Sequence, residues 1–562
     1  MKKLLSLFLA SLLLLTCLTP AYAETTSWFK SECDDPVIYI SGDSQKLYYD
    51  NDSKVFCIDD VGNLLTADTE NGQTTTDKVL ETTATILKPF ILEGILLGKW
   101  DNYYAAVEKE ITEMFEPVRL DCNGNVPEDS DCGLSLEQKN NNARKQSTYI
   151  TNANGKFEEG TYKFEYDWRL DPIENAETLN TFIENVKKVT GRSRVSIVSK
   201  CLGTNVVLAY INEYGTESIK GLGIGVATSN GADFLSGALS GDFKINGAGL
   251  VKLAKELKYT GNTNVHPLIT ATVQMLQSTG VLDTLDDVIR ATVYEKIEYG
   301  IVQALATSTL MTYPCYWSVV SVDDFDDALT YCFGEEGSEK RQEYAGLIEK
   351  ITYYNETIKK HTYDIMAKVK QPRKDGTTPN LILISKYGTT IAPCVKDETI
   401  LADTYVSVTN SSFGATTSTI YNTLSDEYIA EREAKGKGKY ISPDKKIDAS
   451  TCLYPDYTVF IKNCYHGDYW TQERQLVLGV IDADTQFTVD NFEYSQYIVA
   501  DYSDKSWEKM TAENCENGDM WDADESYDHP STFLEKIKAF FKSIFAWYKV
   551  LFQTVIEKLK NQ

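Results

Sequence analysis

Positively charged residues are few in this chain. It has 55 Lys and Arg against 82 Asp and Glu, which gives a formal net charge of -27 over 562 residues. It also lacks a stripe of Lys or Arg and any nucleic-acid-binding motif. Because binding to a polyanion depends on such positive charge, we do not expect nucleic acid as a partner. An excess of acidic residues is instead typical of an exported protein that is kept soluble by its net charge.

Signals for bound metals and cofactors are also missing. The cysteines are spaced more widely than the ligands of a metal site. The glycine-rich run at 221–232 lacks both the third glycine of a dinucleotide fingerprint and the lysine of a phosphate loop. We therefore expect neither a metal nor an organic cofactor.

One long apolar run stands at the start of the chain. It covers residues 4–18, follows two lysines, and is followed by the small residues Ala21 and Ala23. This order of charge, apolar core and small residues is typical of a secretory signal peptide, and the run is short for a membrane span. We predict a signal peptide at 1–23 and a mature protein that is secreted or held at the extracellular surface.

The cysteine count supports an exported chain with one thiol left over. Twelve cysteines are present, and removal of Cys17 with the signal peptide leaves an odd number. Spacing does not fix the connectivity, but it suggests several disulfides. The suggested pairs are Cys33 with Cys57, Cys122 with Cys132, and Cys315 with Cys332, with two more bridges among Cys394, Cys452, Cys464 and Cys515. This pairing leaves Cys201 free.

Apolar strand-like runs alternate with helical patterns along most of the chain. The strand-like runs lie at 36–41, 161–168, 194–199, 221–227, 380–385 and 457–463, and helical patterns include 174–190 and 203–213. Several runs are continuously apolar, as in strands buried on both faces. The sequence predicts an α/β fold: a mainly parallel sheet with helices on both faces. No repeat or long linker divides it, so we expect one domain at 24–505, with a helical cap inserted at about 235–375.

The last part of the chain has a different composition. Residues 506–530 are predicted to form an acidic linker, because 511–530 hold seven acidic residues and no Lys or Arg. Apolar residues at three- and four-residue spacing then predict an amphipathic helix at 531–562. Such a helix fits a membrane surface or the acidic body of the protein equally well.

One segment has the pattern of a catalytic strand-to-helix turn. In Ser199-Lys200-Cys201-Leu202-Gly203, small residues stand two positions before and two after the cysteine. A sharp turn of this kind requires small flanking residues, and it exposes its central side chain at the start of a helix. A thiolate is stabilised there. The pattern predicts Cys201 as a nucleophile.

A nucleophile at such a turn needs a base and an orienting acid later in the chain. His466 follows the strand-like run at 457–463, so a loop could lower its imidazole onto the nucleophile. The other three histidines are His266, His361 and His529, for which solvated roles are simpler. Asp403 lies after the run at 380–385, although its local sequence alone is better explained by a turn-initiating aspartate.

Four segments together resemble a known family. They are "FEYDWRLDP" at 164–172, the turn at 199–203, "GLGIGVATSNGADFLSGALSGDF" at 221–243 and "ADTYVSVTNSS" at 402–412. In the same order along about 36–470, they resemble the lecithin:cholesterol acyltransferase and lysosomal phospholipase A2 family of α/β-hydrolases. The resemblance implies an α/β-hydrolase fold and acyl transfer from lipid esters.

The resemblance also implies roles for individual residues. The Ser/Asp/His triad of the family corresponds here to Cys201 as nucleophile, Asp403 as orienting acid and His466 as base. The Tyr-Asp-Trp-Arg run shapes the site in the family. Architectural or substrate-positioning roles are therefore implied for Tyr166, Asp167, Trp168 and Arg169.

The chain departs from the family at two places. The nucleophile is cysteine, and the glycine-rich turn after the first strand is reduced to residues 41–45. Backbone N–H groups of Leu202 and of Asp43 or Ser44 could still bind an oxyanion. However, the carboxylate of Asp43 puts negative charge near the position where the negative charge of the oxyanion must develop.

These patterns predict a secreted enzyme that acts on lipid or other hydrophobic carboxylic esters. Because a thiol ionises more readily than a hydroxyl, the chemistry is expected to pass through an S-acyl-cysteine intermediate. A protein of the same fold that is catalytically inactive and binds lipids or surfaces is the alternative.

Overall fold

The structure is a computed structural model of the whole chain. It describes residues 30–42, 47–49, 54–56, 89, 93–94, 97–143, 151, 154–158, 162–243, 295–389, 391, 395, 397, 399–486, 488–492, 494–501 and 505–515. The predicted signal peptide at 1–23 and helix at 531–562 lie outside the described residues, as do Asp43 and Ser44.

An eight-stranded sheet forms the centre of the protein. Its strands are β1 (Val37–Ile40), β2 (Tyr162–Lys163), β3 (Val195–Lys200), β4 (Ile219–Gly225), β5 (Asn380–Tyr387), β6 (Thr458–Lys462), β7 (Tyr497–Asp501) and β8 (Ser506–Lys509). They lie in the order β8-β7-β6-β5-β4-β3-β1-β2. All neighbours pair in parallel except β7 and β8, which are antiparallel. The predicted α/β fold with a mainly parallel sheet is confirmed.

The register brings the carboxyl ends of the central strands to one edge of the sheet. Lys200 at the end of β3 is opposite Gly225 of β4, which in turn is opposite Ile384 of β5. Tyr387 at the end of β5 is opposite Lys462 at the end of β6. The segments that follow β3, β5 and β6 therefore start near one another, as expected for a parallel sheet.

Helices connect the strands and surround the sheet. They are α1 (Asp101–Phe115), α2 (Leu136–Ala143), α3 (Pro172–Thr190), α4 (Gly203–Tyr214), α5 (Asp233–Ser240), α6 (Glu295–Ser308), α7 (Pro314–Trp317), α8 (Phe325–Phe333), α9 (Glu339–Glu343), α10 (Ala345–Thr357), α11 (Thr362–Lys368), α12 (Val408–Ser411), α13 (Asp426–Ala434) and α14 (Thr471–Ile481). Within the ranges that the structure describes, no helix is both long and apolar enough to cross a membrane.

Both faces of the sheet are covered. Along β5, Leu381 and Leu383 belong to the core that contains the apolar residues of α3 and α4. Their neighbours Ile382 and Ile384 belong to a second core, with the apolar side of α14. Because successive side chains of a strand point to opposite faces, these helices lie on opposite sides of the sheet.

The helix before the cysteine turn shows how the sequence sets these elements. The side chain of Asp171 accepts a hydrogen bond from the amide of Ile173 over 2.9 Å and so caps α3. Pro172 occupies the first turn, where its missing N–H has no cost. Gly191, with φ of +70°, ends the helix. The helix predicted at 174–190 is thus present and begins two residues earlier.

The segment between β4 and β5 was predicted to be a helical insertion at about 235–375. Its described part is mainly helical, from α5 to α11.

Two parts of the sheet differ from the prediction. The run at 161–168 forms only the short strand β2, because the chain then leaves the sheet to bury Phe164, Tyr166 and Trp168 in the core. Residues 506–509, predicted as the start of an acidic linker, form β8 at the edge of the sheet. Trp507 explains this difference, because its side chain packs into the core behind β7.

Candidate active site

Cys201 lies at the tip of a sharp turn between β3 and α4. Its φ is +49°, in the left-handed region that residues with side chains rarely adopt. The amide of Cys201 donates to the carbonyl of Gly225 over 3.1 Å, and its own carbonyl accepts from the amide of Thr204 over 3.0 Å. The thiol is free and partly exposed. The cysteine therefore stands where the small flanking residues predicted it.

The flanking residues show why the turn requires small side chains. A Cβ atom on Gly203 would lie 2.6 Å from the carbonyl oxygen of Ser41 and 2.9 Å from that of Ile40. On the other side of the turn, Ser199 is fully buried, with its hydroxyl 3.5 Å from the hydroxyl of Thr204. The helix can therefore start directly beside β1 only because residue 203 is glycine.

The loop after β1 passes close to the cysteine. A Cβ atom on Gly42 would lie 3.4 Å from Sγ of Cys201 and 3.7 Å from the backbone nitrogen of Leu202. The hydroxyl of Tyr166 donates to the carbonyls of Ser41 at 2.9 Å and Gly42 at 3.2 Å. Tyr166 thus holds this loop over the sulfur and beside one of the amides predicted to bind an oxyanion.

His466 and Asp403 form a hydrogen-bonded pair. Nδ1 of His466 is 2.8 Å from Oδ2 of Asp403, and the backbone amide of His466 donates to the carbonyl of Asp403 over 3.0 Å. Both residues are buried, Asp403 completely. The structure therefore brings together the acid and the histidine that the family resemblance implies.

The carboxylate of Asp403 is fixed by its own loop. Its Oδ1 accepts hydrogen bonds from the amides of Tyr405 at 3.2 Å and Val406 at 2.9 Å. Thr404 has a φ of +96°, and its hydroxyl is 2.9 Å from the hydroxyl of Thr389. These contacts hold the loop in a strained conformation. Because Oδ1 is occupied by the two amides, Oδ2 of Asp403 is directed at the imidazole.

The charges around His466 favour the imidazolium form. Burial acts to lower its pKa, but the charge of Asp403, and then that of Cys201, outweighs burial and raises the pKa to about 10. The sulfur also contributes through its contact with the ring, although Nε2 has no hydrogen bond of regular geometry within the described residues. The charges of Asp403 and Cys201 therefore both act on the imidazole of His466.

Two residues of the Tyr-Asp-Trp-Arg run form a buried ion pair. Nη2 of Arg169 is 2.6 Å from Oδ2 of Asp167, and Nε is 2.9 Å from Oδ1. The guanidinium also donates to the carbonyls of Val118 and Cys132, both at 3.1 Å. Every one of these contacts joins parts of the scaffold.

Trp168 is buried in an aromatic group on the same scaffold. Its ring stacks on Tyr316 with the centroids 5.6 Å apart, and the ring of Tyr313 lies perpendicular to it at the same centroid distance. The observed contacts of residues 166–169 are thus architectural. A role in positioning substrate stays a prediction.

Sequence reasoning missed a cluster of buried charges behind the turn. The ammonium of Lys200 and that of Lys386 both donate to the backbone carbonyl of Asp468, the former over 2.8 Å. Lys386 is also 2.8 Å from the carboxylate of Glu473. Lysines at the ends of two apolar strands were the only signal of this cluster in the sequence.

The suggested disulfides are not formed where both cysteines are described. Cys122 and Cys132 are free thiols. Cys332 is also free, and its sulfur lies 3.3 Å from the carbonyl oxygen of Leu239, so it does not bridge to Cys315. The redox state of an exported chain stays a prediction. Among the residues with described positions, no group of three or more His, Cys, Asp or Glu could hold a metal ion.

Comparisons with known proteins add little. No protein-family model matches the chain, and no curated protein is similar to it in sequence. One similar solved structure is "The crystal structure of Tle4-Tli4 complex", which is 13% identical and covers 63% of this chain and 75% of the other. Its TM-score is 0.23, which is too low to support an argument about fold or function.

Proposed function

We propose that the chain is an α/β-hydrolase that transfers acyl groups from lipid or other hydrophobic carboxylic esters through Cys201. The observation that carries the proposal is the arrangement of three side chains: a thiol at the tip of a strained turn, an imidazole in contact with the sulfur, and a carboxylate hydrogen-bonded to the imidazole. The four segments that resemble the lecithin:cholesterol acyltransferase family support the same chemistry.

The first step forms the S-acyl enzyme. The thiolate of Cys201 attacks the ester carbonyl carbon, and the carbonyl electrons move onto oxygen to give a tetrahedral oxyanion. When the oxyanion collapses, the carbon–oxygen bond of the alcohol breaks, and the leaving oxygen takes the proton from Nε2 of His466. The absence of a regular hydrogen bond to Nε2 among the described residues leaves that N–H available.

The second step releases the acyl group. Water or an acceptor alcohol gives its proton to Nε2 of His466 as its oxygen attacks the thioester. The carbon–sulfur bond then breaks and restores the thiolate beside an imidazolium. Asp403 keeps the ring oriented through both steps because its carboxylate accepts from Nδ1.

The developing oxyanion is expected to meet the backbone N–H of Leu202, at the start of α4. The position of Gly42 next to this nitrogen and next to the sulfur supports a site between the turn and the β1 loop. The second amide that the sequence predicts, at Asp43 or Ser44, lies outside the described residues. Backbone donors suit this role because they are already oriented before the charge develops.

A row of aromatic rings supports a hydrophobic acyl group. The rings of Tyr405 and His466 are nearly perpendicular, with their centroids 5.4 Å apart. The ring centroid of Phe234 lies 6.3 Å from that of Tyr405, and the ring centroid of Phe243 lies 6.4 Å from that of Phe234. The helical segment between β4 and β5 contributes these two phenylalanines, which is why we assign it the role of a cap over the site.

The proposal is tested by looking for an acyl adduct on the sulfur of Cys201. The full chain is incubated with long-chain nitrophenyl esters and acyl-thioesters, and peptides containing residue 201 are analysed by mass spectrometry. We expect an adduct on Cys201, turnover of the ester, and loss of both in Cys201→Ala. Cys332→Ala, which removes another free thiol, should keep full activity.

A different result would favour the inactive alternative. If no adduct forms and Cys201→Ala hydrolyses as much ester as the wild type, the acyl-enzyme proposal is wrong. Binding of the same variant to anionic liposomes would then support a role in lipid binding without catalysis.

A further inference from the structure

A buried lysine behind the cysteine turn connects the two segments that carry the sulfur and the imidazole. Lys200 is the last residue of β3 and directly precedes the nucleophile. Its ammonium donates to the carbonyl of Asp468, two residues after His466. One side chain therefore joins the segment that carries the sulfur to the segment that carries the imidazole.

The segment that carries His466 is held by several other contacts. Oδ2 of Asp468 accepts from the backbone amide of Tyr465 over 3.0 Å, which closes a tight turn around the histidine. The ring of Tyr469 lies under the ammonium of Lys200, with the nitrogen 4.5 Å from its centroid, and stacks on Tyr39 of β1. The turn is thus tied to β1 and β3 at once.

A second lysine reaches the same carbonyl from another strand. Lys386 of β5 donates to the Asp468 carbonyl and pairs with Glu473 in the first turn of α14. Lys386 and Glu473 are almost completely buried. Because a buried charge is tolerated only when it is paired and hydrogen-bonded, this arrangement has essentially one geometry.

We propose that Lys200 is a positioning residue that sets the distance between Sγ of Cys201 and Nε2 of His466 by fixing the Asp468 carbonyl. The proposal rests on the proposed function for its effect on turnover, but its effect on the thiol is independent of any ester. Among the described residues, the ammonium of Lys200 contacts the Asp468 carbonyl and the ring of Tyr469, and not the reacting atoms. It acts by holding the turn on which the imidazole is carried.

Burial of the Lys200 ammonium is unfavourable, so an apolar replacement is expected to be tolerated. The pKa of Lys200 is lowered to about 8 by burial and then by the nearby Lys386, while Glu473 acts in the opposite direction. Replacing it with methionine removes this unfavourable burial of a charge and keeps an apolar chain of similar length. Lys200→Met is therefore expected to fold. A loss of activity in this variant would then not be caused by unfolding.

The experiment compares Lys200→Met with Lys200→Arg. We expect Lys200→Met to lower kcat about tenfold or more with little change in KM, because small displacements of a reacting group are costly. The rate at which iodoacetamide alkylates Cys201 at pH 7 should fall by a similar factor, since the thiolate loses its imidazolium partner. Lys200→Arg keeps a cationic donor and should recover most of both rates.

A matched control is Lys359→Met. Lys359 is also a buried lysine that donates to one backbone carbonyl, that of Ser318 over 2.9 Å, but it has no contact with the histidine turn. It should leave both rates unchanged. Tyr469→Leu is a second test if Lys200→Met does not fold, and it should lower both rates about threefold because the ring no longer locates the ammonium.

The outcomes separate the two proposals. Wild-type alkylation no faster than that of a peptide thiol overturns the triad, and with it this inference. Fast alkylation that depends on His466 and Lys200, without ester turnover, supports the positioning role and rejects the ester substrate. Equal alkylation and kcat in the wild type and a folded Lys200→Met overturn the positioning role alone.

Discussion

His466 is tied to Asp403 twice, once through its ring and once through its backbone. Nδ1 lies 2.8 Å from the carboxylate, and the amide donates to the carbonyl of the same aspartate over 3.0 Å. The second hydrogen bond does not depend on the side chains. The loop that carries the histidine therefore stays docked on the aspartate loop even when the carboxylate is changed.

Asp403→Asn tests the carboxylate without releasing the loop. The amide cannot stabilise an imidazolium, and it can present its N–H to Nδ1, which would select the wrong ring tautomer. We expect turnover to fall by about a thousandfold in a variant that still folds, with a lower melting temperature that reflects the lost ion pair. Steady-state kinetics and thermal unfolding measure the two effects. Wild-type turnover in the variant would contradict the assigned role of Asp403.

The pKa of His466 gives a pH dependence with a definite sign. The folded protein raises this pKa to about 10, above its ordinary value near 6.5. The ion pair therefore contributes stability fully below pH 6.5 and loses it as the pH rises through about 10. Turnover should fall over the same upper range, because the leaving alcohol needs the imidazolium proton. In Asp403→Asn, the fall should occur at lower pH.

Cys201→Ser should reverse the sign of that dependence. A serine hydroxyl stays protonated at neutral pH, so His466 must first lose its proton to act as a base. The rate should then rise about tenfold per pH unit below the pKa of the histidine. Pre-steady-state kinetics from pH 6 to 10 compare this profile with the falling limb of the wild type. Identical profiles would show that the sulfur is not the nucleophile.

The sequence predicted those parts of the site that depend on local sterics or chain order. Small residues at 199 and 203 mark the turn because they avoid nearby backbone, and this requirement acts within a few residues. Chain order after two strands offered Asp403 and His466 as candidates, and the family resemblance then implied their roles as acid and base. Order carries this information because parallel strands bring their ends to the same edge of the sheet.

Other features could not be predicted because they depend on tertiary register. Nothing local indicates that Lys200 and Lys386 meet at one carbonyl, since this follows from the alignment of β3, β4 and β5. The acidic composition of 511–530 led to a predicted linker that begins at residue 506. In the structure, the side chain of Trp507 is buried in the core. The free energy gained by burying this one side chain outweighs the tendency of the polar sequence around it to remain a linker.

Gly203→Ala tests the steric origin of the turn. The new Cβ would lie within 3 Å of the backbone oxygens of Ser41 and Ile40, which cannot rotate away. We expect a loss of about 1–3 kcal/mol in the free energy of unfolding, together with reduced alkylation of Cys201. Gly479→Ala in α14 is the control, because nothing lies within 4 Å of its Cβ position. There, the free energy of unfolding should rise by about 0.5–1 kcal/mol.

Arg169→Met distinguishes an architectural role from substrate positioning. The guanidinium is completely buried against Asp167, so its removal leaves an unpaired buried carboxylate and should cost about 3–5 kcal/mol in the free energy of unfolding. The matched control is Arg119→Met, which removes an exposed pair with Glu116 and should cost less than about 1 kcal/mol. Denaturant titrations measure both. KM of the folded fraction should stay unchanged in Arg169→Met, because every contact of the guanidinium is with the scaffold. A rise in KM without loss of stability would assign the residue to the substrate instead.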